Sequence, residues 1–177
     1  MNLRALTTLC MLSACGTSPV APQPTAPTAS PASPAPPPQA ACTLETPLVP
    51  GVPGSPGHLI PSDINPNGAS ELALLMRVMQ RDLATARDAI LAGASVPSMS
   101  AAHAKMRCAW PTEPGDRNAS YDALAQAYVG AVQALEAAPA EAQRAAHDRV
   151  LDTCVACHQT TCLGPIPAIQ ALRFPRP

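Results

Sequence analysis

The sequence predicts an all-α domain, an antiparallel four-helix bundle set behind a long proline-rich tether, and three observations carry that reading. Apolar residues recur at helical spacing in four successive stretches from Ser70 onward. No run of β-branched residues alternates as a strand would. Fifteen of the 23 prolines crowd between Pro19 and Pro66, ahead of the helical stretches. Helices with one apolar stripe each, joined by short loops, bury those stripes against one another, and the bundle is the arrangement that does so.

The first element is a leader. Arg4 supplies a positive start, and the apolar run from Ala5 to Leu12 follows. That run is too short to span a bilayer, which takes about 20 apolar residues, so it reads as a signal core. It ends in Leu12-Ser13-Ala14-Cys15, similar to a bacterial lipobox. Residues 1–14 are therefore expected to be a lipoprotein signal peptide, with Cys15 lipidated. An ordinary cleaved signal with an incidental Cys15 is the plainer alternative. Residues 15–41 form a linker of Pro, Ala, Ser, Thr and Gln that cannot bury enough apolar surface to fold. In polyproline II it would reach up to about 80 Å. Residues 42–67 change to Pro/Gly turns with apolar insertions, an irregular segment expected to lie against the folded domain of residues 68–177.

Four helices follow. Leu72, Met76, Met79, Leu83, Ala86 and Ile90 form a 4,3,4,3,4 seam, with Ser70 as N-cap and Gly93 as stop. A second helix is expected over 98–110, closed by Pro111. A third runs over 120–137, with Tyr121, Leu124, Tyr128, Val132 and Leu135 on one side. A fourth starts after Pro139 and runs to about His158.

Composition narrows the function. A net charge of -1 over 177 residues offers no footprint for nucleic acid. Aromatics are only 2% of the chain (Trp110, Tyr121, Tyr128 and Phe174), so a bulky apolar group could complete the core. No Ser/His/Asp pattern, phosphate-binding glycine loop or carboxylate pair points to an enzyme.

The chemistry concentrates in the fourth helix. Cys154, Cys157 and His158 stand at i, i+3 and i+4, on one helical face. C-x-x-C-H in an exported chain is the attachment motif of haem c: two thiols take the porphyrin vinyl groups, and the adjacent imidazole takes the iron. A zinc site from Cys154, Cys157, His158 and Cys162, or a simple disulfide, are the alternatives.

A four-helix bundle with this motif near the end of its last helix resembles the class II c-type cytochromes, the cytochrome c′ group and its low-spin relatives. The resemblance covers about residues 70–158. It implies one haem c, His158 as proximal iron ligand, and a distal side built by the first helix. A thioether from that helix is the sixth ligand in the low-spin members, which points to Met76, with Met79 second. Both also suit a core as gap fillers. His/Met ligation raises the potential and suits a single-electron carrier rather than an enzyme. A five-coordinate haem that binds NO or CO is the near alternative, and a zinc- or disulfide-stapled structural lipoprotein the distant one. The expected partners are redox proteins, and a membrane through the anchor at Cys15, on the periplasmic or cell-surface side.

Other residues read more plainly. His103 is expected to be a half-exposed structural histidine, and His58 solvated in its loop. His147 lies about 16 Å from His158 along the helix, too far to share a metal. Asp82, Arg87, Asp88 and Arg144 read as charged surface. Of the spare thiols, Cys162 is expected to pair with Cys108 or Cys42.

Overall fold

A computed structural model describes residues 42–175. The described residues are all-helical, compatible with a helical bundle. Their only β-type pairing is an isolated bridge between Ile60 and Ala69. The expected signal peptide, the expected lipidation at Cys15 and the expected tether lie outside the described residues.

Helix α1 (Glu71–Leu91) forms where the seam predicts it. Ser70 Oγ accepts from the Ala73 N–H at 3.1 Å, satisfying one of the orphan donors of the first turn. At the other end Gly93 adopts φ +67°. The Gly93 N–H donates to the Ile90 carbonyl and the Ala94 N–H to the Ala89 carbonyl, a Schellman closure.

The second expected helix is largely absent. Helix α2 (Ser100–His103) makes a single turn, and residues Ala104–Cys108 tighten into a 3₁₀ turn. Tertiary ties on both sides explain the change. The Glu136 carboxylate receives the Met99 and Ser100 N–H groups, and the Arg107 guanidinium grips the Asp122 carboxylate through two bonds of 2.8 and 3.0 Å. Cys108 is bonded to Cys42. Such anchors override the modest helical preference of a short segment.

Helix α3 (Ala119–Glu136) begins at Asn118, whose side-chain oxygen accepts from the Ser120 and Tyr121 N–H groups. A turn at Ala140–Ala142 leads into α4 (Gln143–Thr161), which continues three residues past His158. A further short helix, α5 (Ile166–Gln170), was not expected. Pro165 and Pro167 hid it in the sequence, although proline is tolerated where first-turn N–H groups have no partner.

Hydrogen bonds fix how these elements run. Leu72 N–H reaches the Trp110 carbonyl, and Asp82 reaches His103, so the segment 100–110 runs against α1. Glu136 meets Ser100, and Tyr121 meets Met106, so α3 runs against that segment and with α1. The short link at residues 137–142 turns α4 back along α3, its most extensive packing partner. The starts of α1 and α3 and the end of α4 therefore share one end of the domain.

Leu83, Val132, Leu135, Val150 and Leu151 are essentially fully buried between the long helices. Each large side chain so buried contributes about 1.5–3 kcal/mol of transfer free energy. The leading segment lies against the shared end. Arg117 Nη2 donates to the Thr43 and Thr46 carbonyls, and Trp110 Nε1 donates to Val49. Gly54 (φ +89°) makes a close approach in which an added Cβ would stand 2.5 Å from the Glu71 nitrogen.

Cys42 and Cys108 form a disulfide, Cα atoms 5.3 Å apart, and Cys162 is free and exposed. The expected bridge from Cys162 to Cys108 or Cys42 is thereby corrected: Arg117 holds the leading segment beside the 3₁₀ turn, so the two thiols there meet each other. Among the described residues no helix is long and apolar enough to cross a membrane.

Candidate functional site

Cys154, Cys157 and His158 lie on the last turns of α4, as the motif spacing requires. Both cysteines are unbridged thiols, and all three side chains are half-buried. Burial, aided by the neighbouring Cys157 charge, pushes the Cys154 thiol up to about 12, and burial pushes Cys157 up as well. The pair therefore stays protonated at neutral pH, unlike the activated thiolates of disulfide oxidoreductases.

His158 is oriented by the backbone. Its Nδ1 lies 3.0 Å from the Cys162 carbonyl, and the Cys162 N–H donates to the His158 carbonyl at 3.0 Å. A carbonyl only accepts, so Nδ1 carries the hydrogen and the Nε2 lone pair is left available for a metal. Cys162 thus serves the site through its main chain. Thr160 and Thr161 hydroxyls both donate to the Cys157 carbonyl, tying down the helix end.

The apolar seams open at this level. Leu72, Met79, Leu83, Ala86 and Ile90 are buried on α1, but Met76 is only half-buried. On α4, Ala146, His147, Val150 and Leu151 are buried, and the stripe stops short of Cys154. His147 Nε2 donates to the Leu83 carbonyl at 3.1 Å, which sets these antiparallel helices in register. Met76 lies seven residues before Leu83 and Cys154 seven after His147, each about 10 Å along its axis, so the two stand at the same height. Leu75, Met76, Cys154 and Val155 are each partly buried and packed against the core. Met79, one turn deeper, is buried.

Two tyrosines of α3, Tyr121 and Tyr128, are buried in the core. Burial drives both phenols well above their usual range. Tyr121 donates to the Met106 carbonyl at 2.7 Å. Tyr128 pairs with His103 Nδ1 at 2.8 Å. His103 is fully buried, which corrects its expected half-exposure, and its Nε2 meets Asp82 at 3.0 Å. The sequence hinted at this only through the Met99, His103, Met106 stripe. Its partners lie 21 and 25 residues away, beyond any local pattern.

His147 is also buried, its imidazole held neutral by desolvation, with the Phe174 ring edge-on at 5.2 Å. Arg144 and Arg87 lie over the same ring at 5.0 and 6.0 Å; Arg144 is exposed, as expected, and Arg87 is half-buried. His58 is exposed, in line with its expectation.

Among the described residues no three His, Cys, Asp or Glu side chains converge as a metal-binding group. The residues nevertheless fit haem attachment by their chemistry: two protonated, unbridged thiols and one oriented imidazole share a half-open face beside apolar side chains. No family model, curated protein or solved structure matches the chain.

Proposed function

We propose that this chain is an exported, lipid-anchored c-type cytochrome that carries single electrons. The observation that supports it most is His158, whose Nδ1–H is committed to the Cys162 carbonyl while Cys154 and Cys157 stand free on the same face. Cys154 and Cys157 would hold one haem c as thioethers, and His158 Nε2 would hold its iron. When bound, that group supplies one-electron iron chemistry. Met76, the single half-buried position of its seam, would be the second iron ligand, with the buried Met79 as second choice. The Cys162 carbonyl strengthens the imidazole as a donor and fixes its ring plane. In this reading the whole is an antiparallel four-helix domain of the cytochrome c′ type, its second helix shortened. Cys15 anchors it, and residues 16–41 let it range between redox partners at the membrane.

The test is expression with a haem-attachment system, then a denaturing gel stained for haem. A stained band that disappears in Cys154→Ser/Cys157→Ser supports the reading. A colourless wild-type band removes it and favours a structural lipoprotein. A stained band with a high-spin spectrum that shifts with CO would mark a five-coordinate gas binder instead of a carrier.

A further inference from the structure

Three side chains from three helices form one directed hydrogen-bond path from the core to solvent. Asp82 on α1 is 40% exposed and lies 3.0 Å from Nε2 of the fully buried His103. His103 Nδ1 lies 2.8 Å from the Tyr128 hydroxyl. A carboxylate only accepts, so in the neutral ring Nε2 carries the hydrogen and Nδ1 accepts from the Tyr128 O–H. Every hydrogen along the path thus points away from Tyr128 and toward Asp82. Glu136 also bears on His103, but its carboxylate is committed to the start of α2.

Tyr121, two turns earlier on α3, supplies the contrast. Its hydroxyl donates to the Met106 carbonyl, which cannot take up a proton at neutral pH. Burial keeps both phenols un-ionised, so neither loses an electron easily unless its proton leaves at the same moment. Only Tyr128 has a base in place to receive it, and that base is oriented by a carboxylate in the manner of a catalytic triad.

We propose that Tyr128 is a redox-active residue, a one-electron donor whose oxidation is coupled to proton release through His103 and Asp82. The oxidant is a one-electron acceptor strong enough to oxidise a phenol. It takes one electron from Tyr128, the phenolic proton moves to His103 Nδ1, the Nε2 hydrogen moves to Asp82, and Asp82 releases it to water. Reduction of the phenoxyl radical reverses each move. Where the cytochrome reading holds, on which this placement rests, Tyr128 gives the domain a second one-electron group beside Cys154, able to quench strong oxidising equivalents.

The test uses the exported full chain and a flash-generated soluble ruthenium(III) polypyridyl complex as oxidant, with the phenoxyl radical followed by absorbance and EPR. Wild type and Tyr121→Phe should form the radical, and Tyr128→Phe should lose it. His103→Asn should slow its formation about a hundredfold, the lower end for a positioned base. Asp82→Asn changes a half-exposed residue and should slow it too, which keeps the test open if the buried histidine variant misfolds. Deuterated buffer should slow wild type and Tyr121→Phe alike. A radical that persists in Tyr128→Phe, or equal rates in wild type and Asp82→Asn, overturns the proposal. Haem is assayed on the same samples: its absence ends the cytochrome reading, while the soluble oxidant still decides the role of Tyr128.

Discussion

Met76 and Asp122 show how single residues can be tested against their surroundings. Met76→Ala should turn a low-spin haem spectrum high-spin while covalent haem content stays unchanged. A spectrum that does not move would transfer the role to Met79. Asp122 makes a different kind of prediction. The Arg107 hydrogen bonds hold its carboxyl below the usual range, and Gln126 adds a third bond at 2.7 Å. A depressed folded-state pKa stabilises the fold above the unfolded value near 3.9 and ceases to do so as pH falls through the folded value. Asp122→Asn should therefore cost about 1–2 kcal/mol at neutral pH, for bonds to a charged group that is largely covered. In urea titrations the gap to wild type should close below about pH 4; a gap independent of pH would mean the ion pair is idle. At this scale the motif residues were legible because i, i+3, i+4 spacing is a local property. The burial of His103 was not, since it depends on Asp82 and Tyr128 arriving from other helices.

Elements were legible where their own ends and stripes define them. The α1 seam, its Ser70 cap and its Gly93 stop all follow from short-range rules, and the structure forms each of them. Ser70→Ala should lower stability by about 1 kcal/mol, the usual worth of such a cap, seen as a lower urea midpoint with unchanged slope. A loss of under a few tenths would show that the Thr112 hydroxyl, 3.2 Å from Ser70 Oγ, already shares that role. The stretch 98–110 has a helical stripe too, yet only one α-turn survives. Its contacts with Glu136, Asp122 and Cys42 are long-range, and no window of the sequence displays them. Helix α5 was hidden for the opposite reason: two prolines flank its start, Pro165 as N-cap and Pro167 in the first turn, where a missing N–H costs nothing.

At the largest scale, the described domain is closed by the Cys42–Cys108 bridge, which spans 66 residues. The sequence left three spare cysteines with no rule to pair them, and the choice was made by the packing of residues 42–49 on Arg117 and Trp110. Chain entropy assigns a loop of this size up to about 4 kcal/mol, so Cys42→Ser/Cys108→Ser should lower the unfolding free energy by as much as that. Thiol bookkeeping offers an independent check. With Cys15 lipidated, the bridge closed and both motif cysteines bound, the mature unfolded protein should show one titratable thiol, Cys162; three would mean that Cys154 and Cys157 remain free. The most direct measurement is the intact mass of the exported protein from a host that attaches haem, taken after denaturation and corrected for lipid. The account predicts the polypeptide plus one haem, located on the peptide that contains Cys154 and Cys157. A mass equal to the bare polypeptide would contradict it.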